Sequence, residues 1–103
     1  MSVQPPTLDP SLINEFSAKW LELTNLVFVD GALSAKTKEL IAVAAAHVTL
    51  CDHCIARHTQ RAVKFGATKS EVTEAIWVGI VMRAAAAVTR SRAAFSTIEK
   101  MGH

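Results

Sequence analysis

The sequence predicts an all-α domain of five to six helices, and three observations carry that expectation. Capping signals punctuate the chain at Asp9-Pro10, Ser34, Gly66 and Thr68 with Glu71. Between them, apolar residues recur at the three- and four-residue spacing of helices. No two segments read as partner strands: Leu26-Val27-Phe28-Val29 could pass for one, but it has no counterpart elsewhere. At 103 residues the chain has room for one domain and one core.

Residues 1–8, with Pro5-Pro6, read as a flexible N-terminal arm, and residues 9–103 as a single helical domain. Asp9 is a capping carboxylate and Pro10 suits the first helical position. Leu12, Ile13, Phe16, Trp20, Leu23 and Val27 then form one apolar stripe, and Asp30-Gly31 is expected to end the helix. Ser34 caps a second helix from about Ala35 to Leu50. After Lys36, Lys38 and Glu39 it is almost wholly apolar, which predicts a buried helix, with His47 a satisfied core histidine. Four alanines, Ala42, Ala44, Ala45 and Ala46, permit a close neighbour.

The third helix begins at the cysteine motif and closes at Lys64-Phe65-Gly66, with Gly66 as a left-handed C-cap. Thr68 and Glu71 form a capping box. They open a stretch in which Val72, Ala75, Ile76, Gly79, Ile80 and Arg83 share one side. From Thr68 to Lys100 is long for one helix in a small domain. A break is therefore expected near Arg83 to Val88, with a final helix from about Val88 to Lys100.

Half the residues are hydrophobic and the mean hydropathy is +0.27, high for a small monomer. The excess predicts a homo-oligomer, with Trp20 and Trp77 in core or interface. A net charge of +2 with scattered basic residues argues against a nucleic-acid partner. The apolar stretches Leu40–Leu50 and Ala75–Met82 fall short of the ~20 residues that span a bilayer. The N-terminus lacks the pattern of a signal peptide. A cytoplasmic protein without a membrane partner is expected, a setting where paired cysteines are more often catalytic or metal-binding than structural.

The chemistry concentrates in Cys51-Asp52-His53-Cys54-Ile55-Ala56-Arg57-His58, which holds both cysteines and two of the four histidines. Thiols at a helix start meet unpaired backbone N–H groups and the positive end of the dipole, which favour thiolate. His58 lies four residues after Cys54, on the same helical face, and can take its proton. That pairing selects Cys54 as the nucleophile candidate, while Cys51 can close a disulfide across one turn. Zinc held by Cys51, Cys54 and His58, with His47, His53 or Glu39 as fourth ligand, is a competing reading, weakened by the missing second cysteine pair. A second is two cysteines packed as small hydrophobes, which leaves Asp52, His53, Arg57 and His58 unexplained. Haem attachment needs histidine where Ile55 stands, and a thioredoxin motif needs a βαβ context.

From about Leu33 to the C-terminus the sequence resembles the AhpD-like alkylhydroperoxidase core of the carboxymuconolactone decarboxylase superfamily. The resemblance rests on Glu39 twelve residues before the first cysteine, on Cys51-Asp52-His53-Cys54, on His58, on the Phe65-Gly66-Ala67-Thr68 turn and on the helix start at Glu71 to Ala75. It implies an all-helical, oligomeric fold, commonly trimeric or hexameric. It implies a peroxidatic Cys54, a resolving Cys51, and a proton relay of Glu39, His58 and His53, with no cofactor. The partners it implies are a hydroperoxide and an external dithiol, which in the family can be a lipoyl group on another protein. AhpD itself is longer, with a second helical repeat that this chain lacks. The superfamily's decarboxylases lack the cysteine pair, so its presence here argues against decarboxylation; decarboxylase-like activity and a non-catalytic redox-sensing or stress-response role are the alternatives to the peroxidase reading.

Overall fold

Each of the first four helices begins at a residue whose side chain satisfies a backbone N–H group that the helix itself cannot. In the computed structural model, which describes residues 8–103, the Asp9 carboxylate accepts the Ser11 N–H at 2.8 Å and starts α1, Pro10–Val27. The predicted arm, apart from Leu8, lies outside the described residues. Ser34 Oγ accepts the Thr37 N–H at 3.1 Å and starts α2, Ala35–Thr49. Cys51 is the N-cap of α3, Asp52–Lys64, and Thr68 and Glu71 exchange both bonds of the capping box that opens α4, Lys69–Arg90. A fifth helix, α5, spans Arg92–Lys100. No strand occurs among the described residues.

The turn between α3 and α4 shows how local chemistry places the following helix. Gly66 adopts φ +99°, its N–H bonds the Val63 carbonyl, and the Ala67 N–H reaches back to the Ala62 carbonyl. Those two bonds define a Schellman motif, which needs a residue free to enter the left-handed region. Ala62 and Ala67, drawn together by the turn, are buried with Val72, and Leu40 and Ile76 pack against them.

Helix α2 is the centre of the molecule and packs against both α3 and α4. Ala35, Glu39, Val43 and Ala46 are its buried residues, while Ile41 remains half-exposed. The wholly buried helix that its composition predicts is thus realised on two sides only within this chain. The approach of α4 is close because Gly79 faces α2. A Cβ there would lie 2.5 Å from the Ala44 carbonyl oxygen and 2.8 Å from His47 Cβ. His47 donates its Nδ1–H to the Val43 carbonyl at 2.7 Å, as a satisfied core histidine does. Two polar links tie the ends of the α2–α4 pair. Lys36 bonds Glu71 at 2.9 Å, and Arg83 Nη1 donates to the Val48 carbonyl at 2.8 Å in the last turn of α2.

Two expectations need correction. Helix α1 ends at Val27, with Phe28 as its C-cap, rather than at Asp30-Gly31. Asp30 serves the next helix instead, accepting the Ala35 N–H at 2.7 Å. The break expected between Arg83 and Val88 does not occur: α4 runs to Arg90, and Ser91, itself in right-handed helical conformation, separates it from α5. The segment holds Ala84-Ala85-Ala86-Ala87, the best helix formers, with no glycine or proline to interrupt it. The apolar stripe of α1 stays open within this chain, since no residue of α1 is buried and Phe16, Trp20 and Leu23 are more than half exposed.

With α1 and the second half of α4 projecting, the radius of gyration is 20.2 Å. A compact domain of this length would have about 13 Å. By length and composition one helical span, Lys69–Lys100, could cross a bilayer, with a mean hydropathy of 1.4 over its most apolar window.

Candidate active site

The site forms where the first half of α2 meets α3, and it is built around a buried carboxylate. Glu39 is wholly inaccessible to solvent, the one buried charged residue among those described. A lone carboxylate in such a place is strongly disfavoured, so it must be paired. Each of its oxygens has a partner on α3. Oε2 accepts from His58 Nδ1 at 2.6 Å, and Oε1 accepts from Arg61 Nε at 2.7 Å.

Phe28 completes the setting of His58. Its ring stacks on the imidazole with centroids 5.1 Å apart and planes at 24°. The imidazole is thus oriented by a carboxylate at one edge and an aromatic ring on one face. With the Nδ1–H donated to Glu39, Nε2 is left as the nitrogen that can accept a proton.

The cysteines sit at the start of the same helix. Cys51, as N-cap, accepts the Cys54 N–H on its sulfur at 3.3 Å, and Cys54 is the third helical residue. The two are joined as a disulfide, with Cα atoms 5.2 Å apart. Leu50 precedes them in left-handed conformation, φ 57° and ψ 42°, which turns the chain sharply enough for the Cys51 N–H to bond the Ala46 carbonyl. Both sulfurs therefore lie at the positive end of the α3 dipole.

Cys54, His58 and Arg61 fall on one helical face at spacings of four and three. They line a cleft of about 640 Å³ with His53 and Arg57. Its opposite wall is apolar, made largely by Phe16, Trp20, Leu21, Leu23 and Val27 of α1. The unburied stripe of α1 is thus one side of the cleft.

Of the residues singled out in the sequence, Cys54, His58 and His53 line this cleft, Cys51 is bonded to Cys54, and Glu39 holds His58 from below. His53 is exposed, with no hydrogen bond to Glu39 or His58. His47 lies at the α2–α4 contact instead. The sulfurs of Cys51 and Cys54 are paired with each other, and no group of three or more His, Cys, Asp or Glu side chains placed to hold a metal occurs among the described residues. Sequence reasoning missed Arg61 and Phe28. The spacing of Arg61 from His58 was a usable signal for the first, whereas the second arrives from another element and left none.

The comparisons with known proteins agree with this architecture. An uncharacterized protein of the cox locus of Paracoccus denitrificans is 46% identical over 82 residues, covering 80% of this chain and 74% of that protein. An uncharacterized protein of Cupriavidus necator is 43% identical over 53 residues, 52% of this chain and 47% of that one. A crystal structure from Methanobacterium thermoautotrophicum superposes with a TM-score of 0.72 at 30% identity, covering 82% of this chain and 96% of that one. Another, from Thermotoga maritima, gives 0.63 at 32% identity, with 82% and 88% covered. It is a carboxymuconolactone decarboxylase family protein for which an antioxidative response has been suggested. The profile of that family, carboxymuconolactone decarboxylase, matches residues 14–97 of this chain.

Proposed function

The chain belongs to the carboxymuconolactone decarboxylase family, and on that premise we propose that it is a thiol-dependent peroxidase of the alkylhydroperoxidase type. The observation that carries this reading is the buried Glu39–His58 pair next to a cysteine pair at a helix N-terminus. A carboxylate that fixes the tautomer of an imidazole, with a thiol on the same helical face, is the arrangement of an activated nucleophile. The Thermotoga maritima relative's suggested antioxidative role points the same way.

The steps follow from the groups present. In the reduced protein, Nε2 of His58 takes the proton of Cys54, and Glu39 stabilises the imidazolium that forms. The Cys54 thiolate attacks one oxygen of the hydroperoxide and the O–O bond breaks. Cys54 becomes a sulfenic acid, and the alkoxide leaves as an alcohol with the proton that His58 returns. Cys51 then attacks the sulfenic sulfur, water leaves, and the disulfide forms. The pairing of Cys51 with Cys54 supports this step. An external dithiol reduces it, becoming a disulfide itself. A lipoylated protein is the proposed physiological donor, and a cytoplasmic setting belongs to the same reading.

His53 is assigned a lesser part, as an exposed proton exchanger on the rim of the cleft. The apolar wall of α1 favours organic hydroperoxides over hydrogen peroxide, since burying an alkyl chain there gains roughly 25 cal/mol per Å². A homo-oligomer is part of the proposal, supported by the exposure of Phe16 and Trp20 on α1 and of Trp77, Val81 and Phe95 on α4 and α5. The span of α4 and α5, Lys69–Lys100, is read as an interface element, because Gly79 and Arg83 dock the first part of α4 on α2.

The test is consumption of an alkyl hydroperoxide with dihydrolipoamide as reductant, in wild type and Cys54→Ser. Turnover by the wild type and its loss in the variant are expected. Equal rates in the two proteins would remove the peroxidase assignment. Reversible oxidation of Cys51 and Cys54 without turnover would instead favour a redox sensor.

A further inference from the structure

We propose that Arg61 is the positioning residue of the relay: it holds one oxygen of Glu39 so that the other stays fixed on His58 Nδ1. The inference rests on the relay reading of the same site. Arg61 is not needed to touch substrate or thiol for this role.

Glu39 has two oxygens and no access to water, so each oxygen needs a donor from the protein. His58 can supply one, through Nδ1. Arg61 Nε supplies the other at 2.7 Å. The two lysines of α2 are engaged elsewhere, Lys36 by Glu71 of α4 at 2.9 Å and Lys38 by the Val29 carbonyl at 2.8 Å. The charged groups that face Glu39 are thus His58 and Arg61, both from α3.

The choice of arginine matters for the chemistry. His58 must gain and lose a proton during turnover, so it cannot serve as the permanent counter-charge of a buried carboxylate. A guanidinium keeps its charge throughout the working range of pH. The Glu39–Arg61 pair is therefore neutral as a unit at every stage. Glu39 stays an acceptor, and the imidazole is free to be neutral with its proton on Nδ1. Remove the guanidinium and the buried charge must be neutralised by a proton, either on Glu39 or on His58. The first loses the acceptor that fixes the tautomer, and the second occupies Nε2. Both outcomes destroy the resting base. The side chain of Arg61 is partly exposed, at 39%, so the lost contact would be mostly charge and direction and little core volume.

The side-chain 15N chemical shifts of His58 read this directly in the reduced protein at about pH 8, where an unperturbed imidazole is neutral. A fixed Nδ1–H tautomer gives two well-separated nitrogen signals, whereas tautomer exchange or protonation of Nε2 brings them together. In Arg61→Met the separation is expected to fall by about half or more. In Arg61→Lys, which keeps a cation in reach, most of it is expected to remain. An unchanged separation in Arg61→Met would overturn the proposal, as would an equal collapse in both variants. Should Arg61→Met not fold by circular dichroism, Arg61→Gln is read in its place by the same criteria. The measurement needs no turnover, so failure of the peroxidase assay and failure of this inference are separate results.

Discussion

Replacing Gly79 by alanine tests whether the contact of α4 with α2 sets the geometry of the site. The added Cβ would lie 2.5 Å from the Ala44 carbonyl oxygen and 2.8 Å from His47 Cβ. The first of these is backbone in the middle of a helix, which cannot rotate aside. Normal packing can be restored only by moving the two helices apart by roughly 1 Å. Overpacking of this kind costs about 1–3 kcal/mol, and the rigidity of α2 at the contact puts this case near the upper end. The same displacement reaches Glu39, which lies on α2 and is bonded to His58 at 2.6 Å.

Gly79→Ala is therefore expected to lower urea-unfolding stability by about 2–3 kcal/mol and to reduce peroxide turnover in the protein that remains folded. Two other glycines serve as comparisons. At Gly31 an added Cβ meets only the ammonium of Lys38, at an ordinary contact distance of 3.5 Å, and alanine should be nearly neutral. At Gly66 nothing lies within 4 Å, but φ is +99°, so alanine there costs about 1 kcal/mol through the backbone alone. The order Gly79 worst, Gly66 intermediate and Gly31 least is the expected result. A Gly79→Ala protein as stable as wild type would refute the reasoning and the helix contact it rests on.

Glu39→Gln should retain the fold, lose about 1–2 kcal/mol of stability as the charge-assisted bonds go, and cut peroxide turnover about 100-fold. Turnover within a factor of about two of wild type would contradict the relay. Glu71 responds to pH. Its carboxylate, bonded first to the Thr68 N–H and then to Lys36, is held below its ordinary value of 4.5. The ionised form is thus favoured by folding, so its contribution is complete above 4.5 and is lost as pH falls below that value through the folded-state value. Glu71→Gln should accordingly flatten the acid limb of a stability-against-pH curve, and an acid limb identical to wild type would count against it. Cys51→Ser should leave a trappable sulfenic acid on Cys54 after one equivalent of peroxide, detected by mass spectrometry with dimedone; labelling at no position would reverse the assignment of the two thiols.

The features that could be read from the sequence are those decided within a few residues. Asp9, Ser34, Thr68 with Glu71, and Gly66 act on backbone groups no more than four residues away, and each cap forms as its residue type dictates. The placement of the cysteines at the start of α3 follows in the same way. What escaped is decided through space or by a balance. Arg61 matters because α2 presents Glu39 to it from twenty-two residues away, and Phe28 because α1 ends three residues before the expected point. The break expected at Arg83 to Val88 was a judgement on length, and four consecutive alanines outweigh length when the helix is free to project. The apolar stripe of α1 is legible, but a pattern cannot tell burial within a chain from the wall of a cleft.

The left-handed turn at Leu50 has one more consequence. Only Leu50 and Cys51 separate the last residue of α2 from the first of α3, and Cys51 is itself tied to Ala46 by its N–H. There is no slack in such a corner. A cycle between dithiol and disulfide must then be accommodated by rotation about side-chain bonds, with the two helix axes holding still. The Glu39–His58 pair and the two cysteines share one frame, so in the proposed cycle a change of oxidation state does not retune the spacing between them. The same stiffness denies the backbone the means to carry news of oxidation to distant surfaces.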